Sequence, residues 1–115
     1  MEIDSVVAST TAPQAPGRPA CFRVRVPRLP GYFTGAGDLF AALLLAWTHR
    51  RPGDLAAAVE LAVAGLQAVL QATAAAGGGA GGRGAAAFAA RELRLVECGD
   101  ALAVPVVSLR AEALD

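Results

Sequence analysis

Three residues in one short run could do chemistry together: Gly35, Gly37 and Asp38. A glycine leaves the backbone bare, so the chain can turn tightly and an anion can approach the amides. An apolar run, Leu39-Phe40-Ala41-Ala42-Leu43-Leu44-Leu45, follows directly and reads as a helix. The amides of residues 36–38 would then open that helix. Unpaired N–H groups and the positive end of the helix dipole favour negative charge there. A carboxylate at Asp38 would repel a resting anion. It has a use if a hydroxyl must lose a proton while a phosphoryl group arrives, which is the chemistry of a small-molecule kinase. Asp38 is therefore the candidate base, and Thr34, Gly35, Ala36 and Gly37 form the candidate anion hole. Taken alone, Asp38 has a simpler explanation as an acidic partner of the helix dipole, worth about 0.3–1 kcal/mol.

Other chemistry is harder to assemble. His49 lies a helix length from Asp38, about 16 Å at 1.5 Å per residue, and cannot share its proton. Trp47 reads as a packing anchor. Cys21 and Cys98 are far apart and the chain has one histidine, so no zinc set forms. Two free thiols in a reducing compartment are expected. All ten basic residues are arginine, which removes the lysine of a P-loop and any Schiff base. The formal charge is zero, with no basic surplus for nucleic acid or an anionic membrane. The start, Met-Glu-Ile-Asp, lacks a basic n-region and an apolar h-region, so no secretory signal is expected, and the apolar run Leu39–Trp47 is far shorter than the ~20 residues of a membrane span. A cytoplasmic protein is expected by elimination.

The run Thr34-Gly35-Ala36-Gly37-Asp38 resembles the signature of the ribokinase superfamily. Extended from Phe33 through Leu45-Ala46-Trp47-Thr48-His49, it is similar to the pyridoxal kinase branch in particular. Weaker similarity continues through Leu55–Gln71 and Glu92-Leu93-Arg94-Leu95-Val96. It spans roughly Phe22 to the last residue, but only the final third of such a kinase. The resemblance implies that the glycine turn closes on the phosphates of ATP and that Asp38 takes the proton of the substrate hydroxymethyl. Ala36 stands where some relatives carry threonine, so a hydroxyl contact to ATP is missing while the backbone role remains. The implied partners are ATP, Mg2+ or another divalent cation, pyridoxal-type vitamers and a homodimer. The vitamin pocket, the lid and most nucleotide and metal contacts lie upstream of this segment in the family, so the chain is expected to be inactive alone. Two alternatives stay open. One is a non-enzymatic module that associates with a full-length kinase. The other is a sugar or hydroxymethylpyrimidine kinase of the same superfamily.

The elements that must position the turn follow from pattern. Residues 1–20, with prolines at 13, 16 and 19, read as disordered. Phe22-Arg23-Val24-Arg25-Val26 alternates as a half-buried strand stopped by Pro27, its arginines on a solvated face. Pro30-Gly31 supplies a turn. The first helix, Asp38 to about Arg50, is apolar almost all round and should be buried on several sides. Pro52-Gly53 ends it and Asp54 caps the next. That second helix, Leu55 to about Ala76, carries a stripe of Leu55, Val59, Ala62, Leu66, Val69 and Leu70, with Glu60, Gln67 and Gln71 off it. Gly77–Gly84 is a flexible linker, and Ala85–Ala90 adds a helical turn. Arg91–Cys98 and Ala101–Leu109 read as an antiparallel strand pair. With the resemblance, the fold class is α/β: the C-terminal part of a ribokinase-like α/β/α sandwich over residues 21–115.

Overall fold

The computed structural model describes residues 3–27, 35–75, 93 and 95–114. The expected Pro30-Gly31 turn, the linker at 77–84, the helical turn at 85–90, and Arg91, Glu92 and Arg94 lie outside the described residues. The chain runs β1 (Ile3–Ser9), β2 (Cys21–Pro27), α1 (Ala36–Arg50), α2 (Leu55–Ala75), α3 (Gly99–Ala103) and β3 (Ala111–Ala113). The three strands form one antiparallel sheet in the order β1-β2-β3.

Alternation in β2 decides the sheet's two faces. Phe22 and Val24 are fully buried, and they meet Ala56, Val59 and Val63 of α2. Arg23 and Arg25 point the other way, each 3.3 Å from a carboxylate oxygen of Glu112 on β3. These arginines are thus occupied by a cross-strand carboxylate on an open face.

The N-terminal segment departs from expectation. Residues 3–9 form a strand paired along its length with β2, from Ile3 opposite Pro27 to Ser9 opposite Cys21. Val6 and Ala8 pack on the core. The prolines at 13, 16 and 19 fall in the connection after the strand, where missing donors cost no ladder bond. That connection is tied down. The Thr10 N–H donates to Ala20 O at 2.9 Å, and the Ala15 N–H to Gly53 O at 2.7 Å. Gln14 Oε1 accepts the Leu55 N–H at 2.9 Å.

The same connection meets the cap of α2. Asp54 Oδ1 accepts the Ala57 N–H at 3.1 Å and a hydrogen bond from Arg18 Nε at 2.8 Å. Partial burial works against ionisation of Asp54. The Arg18 hydrogen bond, the Ala57 amide and the charges of Arg18 and Arg51 together outweigh it and hold its pKa below the usual value. A depressed folded pKa gives stability that is complete above the unfolded value and lost as pH falls through the folded one. Asp54→Ala is therefore expected to cost about 1–2 kcal/mol at neutral pH. The difference from wild type should shrink as pH drops below the ordinary value of 3.8, which urea titrations at several pH values would follow.

α2 is buried on more than one side, not on a single stripe. One side meets the sheet through Ala56, Val59 and Val63; another meets Leu43 and Trp47 of α1 through Ala58 and Ala62. Alanine and glycine make this double contact possible. A Cβ built on Gly65 would stand 3.3 Å from Leu43 Cδ1 and 3.4 Å from Leu102 Cδ2. α2 is long and apolar enough to cross a membrane by length and composition. Here it is the central helix, and its buried Glu60 accepts the Ala111 N–H on Oε2 at 2.7 Å. Conversely α1, expected to be buried on several sides, buries only Leu43 and Trp47, and neither of them completely.

The expected C-terminal strand pair is replaced. Residues 95–98 form a turn, residues 99–103 form α3, and 104–110 carry no regular structure. Leu102 of α3 packs on the Leu43 and Trp47 cluster, which favours a helical turn there over an extended edge. Among the described residues the one C-terminal strand, β3, pairs with β2 and is extended by the Leu114 N–H donating to Cys21 O at 2.9 Å. The α/β class stands, with β1 as the second neighbour of β2.

Candidate active site

α1 opens at Gly35, which holds the left-handed conformation with φ 88° and ψ 5°. An added Cβ there would find only Leu93 Cδ1, at 3.9 Å, so backbone conformation and not crowding demands glycine. The first helical bond is the Leu39 N–H to Gly35 O, at 3.0 Å. The amides of Ala36, Gly37 and Asp38 precede it and have no acceptor within the helix. Among the described residues no side chain makes a cap hydrogen bond to this end. Gly37 and Asp38 are exposed, and a Cβ at Gly37 would meet nothing within 4 Å. An uncapped helix start with a solvent-facing carboxylate in its first turn can hold an anion and accept a proton beside it.

The turn rests on a well-anchored helix. Leu43 and Trp47 fix α1 against α2, and Leu39 and Phe40 add half-buried contacts. At the far end the Arg51 N–H donates to Trp47 O at 2.8 Å, and the Arg50 guanidinium lies 5.5 Å from the Trp47 ring centroid. His49 and Arg50 place basic groups at the negative end of the dipole. Substitutions at the two glycines should separate. Gly35→Ala is expected to lose about 1–2 kcal/mol because of its positive φ. Gly37→Ala should keep or slightly raise stability, by up to about 1 kcal/mol, since helical glycine is unfavourable. Thermal melts of both variants check this.

The structure brings Gly35, Ala36, Gly37 and Asp38 together at one helix end. Thr34 lies outside the described residues. His49 sits exposed in the last turn of α1, away from them. Leu93 beside Gly35 is a neighbour that sequence spacing did not reveal, because 58 residues separate the two. Cys21 and Cys98 are free thiols. Among the described residues no group of three His, Cys, Asp or Glu is placed to hold a metal. A cavity of about 250 Å³ lies between α2 and residues 101–109, with Gln67, Gln71, Val104 and Ser108 on its walls. None of the residues 35–38 lines it.

The chain shares the ribokinase-like α/β fold of solved structures on which it superposes. Within that class, proteins similar to this chain include pyridoxal kinases. It is 39% identical to the pyridoxal kinase of Arabidopsis thaliana over 99 residues, which is 83% of this chain and 30% of the relative. It superposes with a TM-score of 0.71 and 33% identity on pyridoxal kinase from Leishmania donovani in complex with ADP, over 83% of this chain and 30% of the other. With the same kinase bound to ADP and pyridoxamine, the TM-score is 0.72 at 29% identity over 98% of this chain. No family model matches. The chain spans about 30% of the length of the curated relatives it matches.

Proposed function

We propose that this chain carries the phosphate-holding turn and the catalytic base of a pyridoxal kinase, which moves the γ-phosphoryl group of ATP to the 5′-hydroxymethyl of pyridoxal. One observation carries the reading: the amides of Ala36, Gly37 and Asp38 have no acceptor within the helix and share a single turn with an exposed carboxylate. Named relatives bound to ADP and to pyridoxamine supply the substrate classes.

In the proposed reaction the Asp38 carboxylate accepts the proton of the hydroxymethyl group. The hydroxymethyl oxygen forms the new bond to the γ-phosphorus as the bond to the ADP oxygen breaks. The amides of 36–38 hold the transferring oxygens and stabilise the charge that develops on them. Gly35 supplies the turn that aims these amides, and Gly37 keeps the approach clear of a side chain. A divalent cation would neutralise phosphate charge. The described residues offer no cluster to hold one, so it would be carried by ATP and by upstream parts of a kinase.

An anion hole with no bound and oriented substrate contributes little. The chain alone is therefore read as inactive, in a cytoplasmic setting that suits its free thiols. The test is a chimera in which this chain replaces the matched 99-residue segment of the Arabidopsis kinase. The chimera should turn over pyridoxal and ATP and the isolated chain should not. An isolated chain whose turnover vanishes with Asp38→Ala would overturn the inactivity, and a folded but inert chimera would overturn the kinase reading. Gly37→Ala in the chimera should weaken ADP binding, although the fold tolerates it.

A further inference from the structure

We propose that Leu93 is a positioning residue for the phosphate-holding turn: it meets Gly35 and fixes where the amides of Ala36, Gly37 and Asp38 point. The role rests on the kinase reading above. The turn has little to hold it by itself. Gly35 and Gly37 carry no side chains, and glycine leaves the backbone wide freedom. Among the described residues no side-chain hydrogen bond caps this helix start. One backbone bond, from the Leu39 N–H to Gly35 O at 3.0 Å, ties Gly35 to α1. Packing must therefore set the turn's direction. The described atom that packs there is Leu93 Cδ1, 3.9 Å from where a Cβ on Gly35 would stand.

Leu93 is half-buried and sits on a stiff support. Hydrogen bonds step along the segment behind it: the Leu95 N–H to Leu93 O at 3.0 Å, the Cys98 N–H to Leu95 O at 3.2 Å, and the Leu102 N–H to Cys98 O at 3.0 Å. Leu102 then packs on the Leu43 and Trp47 cluster that joins α1 to α2. Its Cδ2 lies 3.4 Å from the place a Cβ would take on Gly65, so glycine lets it seat closely. Residues 93–102 thus brace α1 twice, at its middle through Leu102 and at its opening through Leu93. Of the two contacts, the one made by Leu93 is at the turn. Amides that hold a transferring phosphoryl group act because they are aimed before its charge develops. Leu93 acts through Gly35 and supplies that aim.

Leu93→Ala in the chimera should lower kcat about 10- to 100-fold, the scale of a misplacement of about 1 Å. KM for pyridoxal should stay within about twofold, since these amides act on the phosphoryl group in the transition state and not on the bound vitamin. Leu93→Met, of similar volume, should restore kcat to within about threefold. Leu102→Ala removes the other contact of the brace; it should lower the melting midpoint and leave kcat within about threefold. In the ¹⁵N-labelled chain itself, Leu93→Ala should move the amide resonances of Ala36 and Gly37 more than Leu102→Ala does. Wild-type kcat for Leu93→Ala in a chimera that Asp38→Asn silences would overturn the proposal and keep the site. A fall in kcat that Leu93→Met does not restore, or that Leu102→Ala reproduces, would overturn it too, as would unmoved amides. Asp38→Asn within about tenfold of wild type would discard the site and the positioning role with it. Where Leu93→Ala yields no folded chimera, Leu93→Val takes its place, and wild-type kcat in that variant overturns the proposal.

Discussion

Asp38→Asn in the chimera is expected to lower turnover by about 10²–10⁴-fold, the usual contribution of a positioned general base. Asparagine keeps the size and the first-turn position but cannot accept the hydroxyl proton. The far-ultraviolet spectrum should not change, because Asp38 is exposed and makes no cap contact. Steady-state rates with saturating ATP and pyridoxal read this directly. A variant within tenfold of wild type would leave the carboxylate with its dipole role only, worth about 0.3–1 kcal/mol.

Phe22→Ala is the largest expected loss of stability. Phe22 is fully buried in the middle strand, where it meets Ala56, Val59 and Val63. Its removal should cost about 3–5 kcal/mol, as large aromatic truncations in cores do. Small domains have a total margin of about 5–15 kcal/mol, so the variant loses a large share of it and its unfolding midpoint should fall well below that of wild type. Both edge strands hang on β2, so the loss should appear in sheet and helix signals together. Urea unfolding followed by circular dichroism measures it. A midpoint within error of wild type would mean that the core lies elsewhere.

Local signals in the sequence were legible and distant ones were not. Pro52, Gly53 and Asp54 mark the break between the helices through backbone chemistry that needs no partner. Phe22 and Val24 announce a half-buried strand by alternation alone. β1 packs Val6 and Ala8 on the core, and the prolines after it mask a strand whose register is set by β2. Glu60 falls off the apolar stripe of α2, yet it is buried because its partner amide, on Ala111, arrives from 51 residues away. The C-terminal segment alternates like a hairpin, but Leu102 is drawn to α1 and α2 and turns that stretch into a helix. Alanine misled in both helices: as filler it hid the second contact face of α2 and made α1 look buried all round. At the candidate site, Gly35 to Asp38 could be read as a turn because all four residues are contiguous. Leu93 could not, since only the fold brings it there.

Main-chain nitrogens at the start of α1 are proposed to hold the moving phosphate. Amide resonances of Ala36, Gly37 and Asp38 in the ¹⁵N-labelled chimera, followed while ADP is added and its binding is confirmed by calorimetry, test it most directly. These three amides should shift most, in step with the calorimetric saturation. Bound ADP that leaves them in place, and moves instead the residues around Gln67, Gln71 and Ser108, would contradict it.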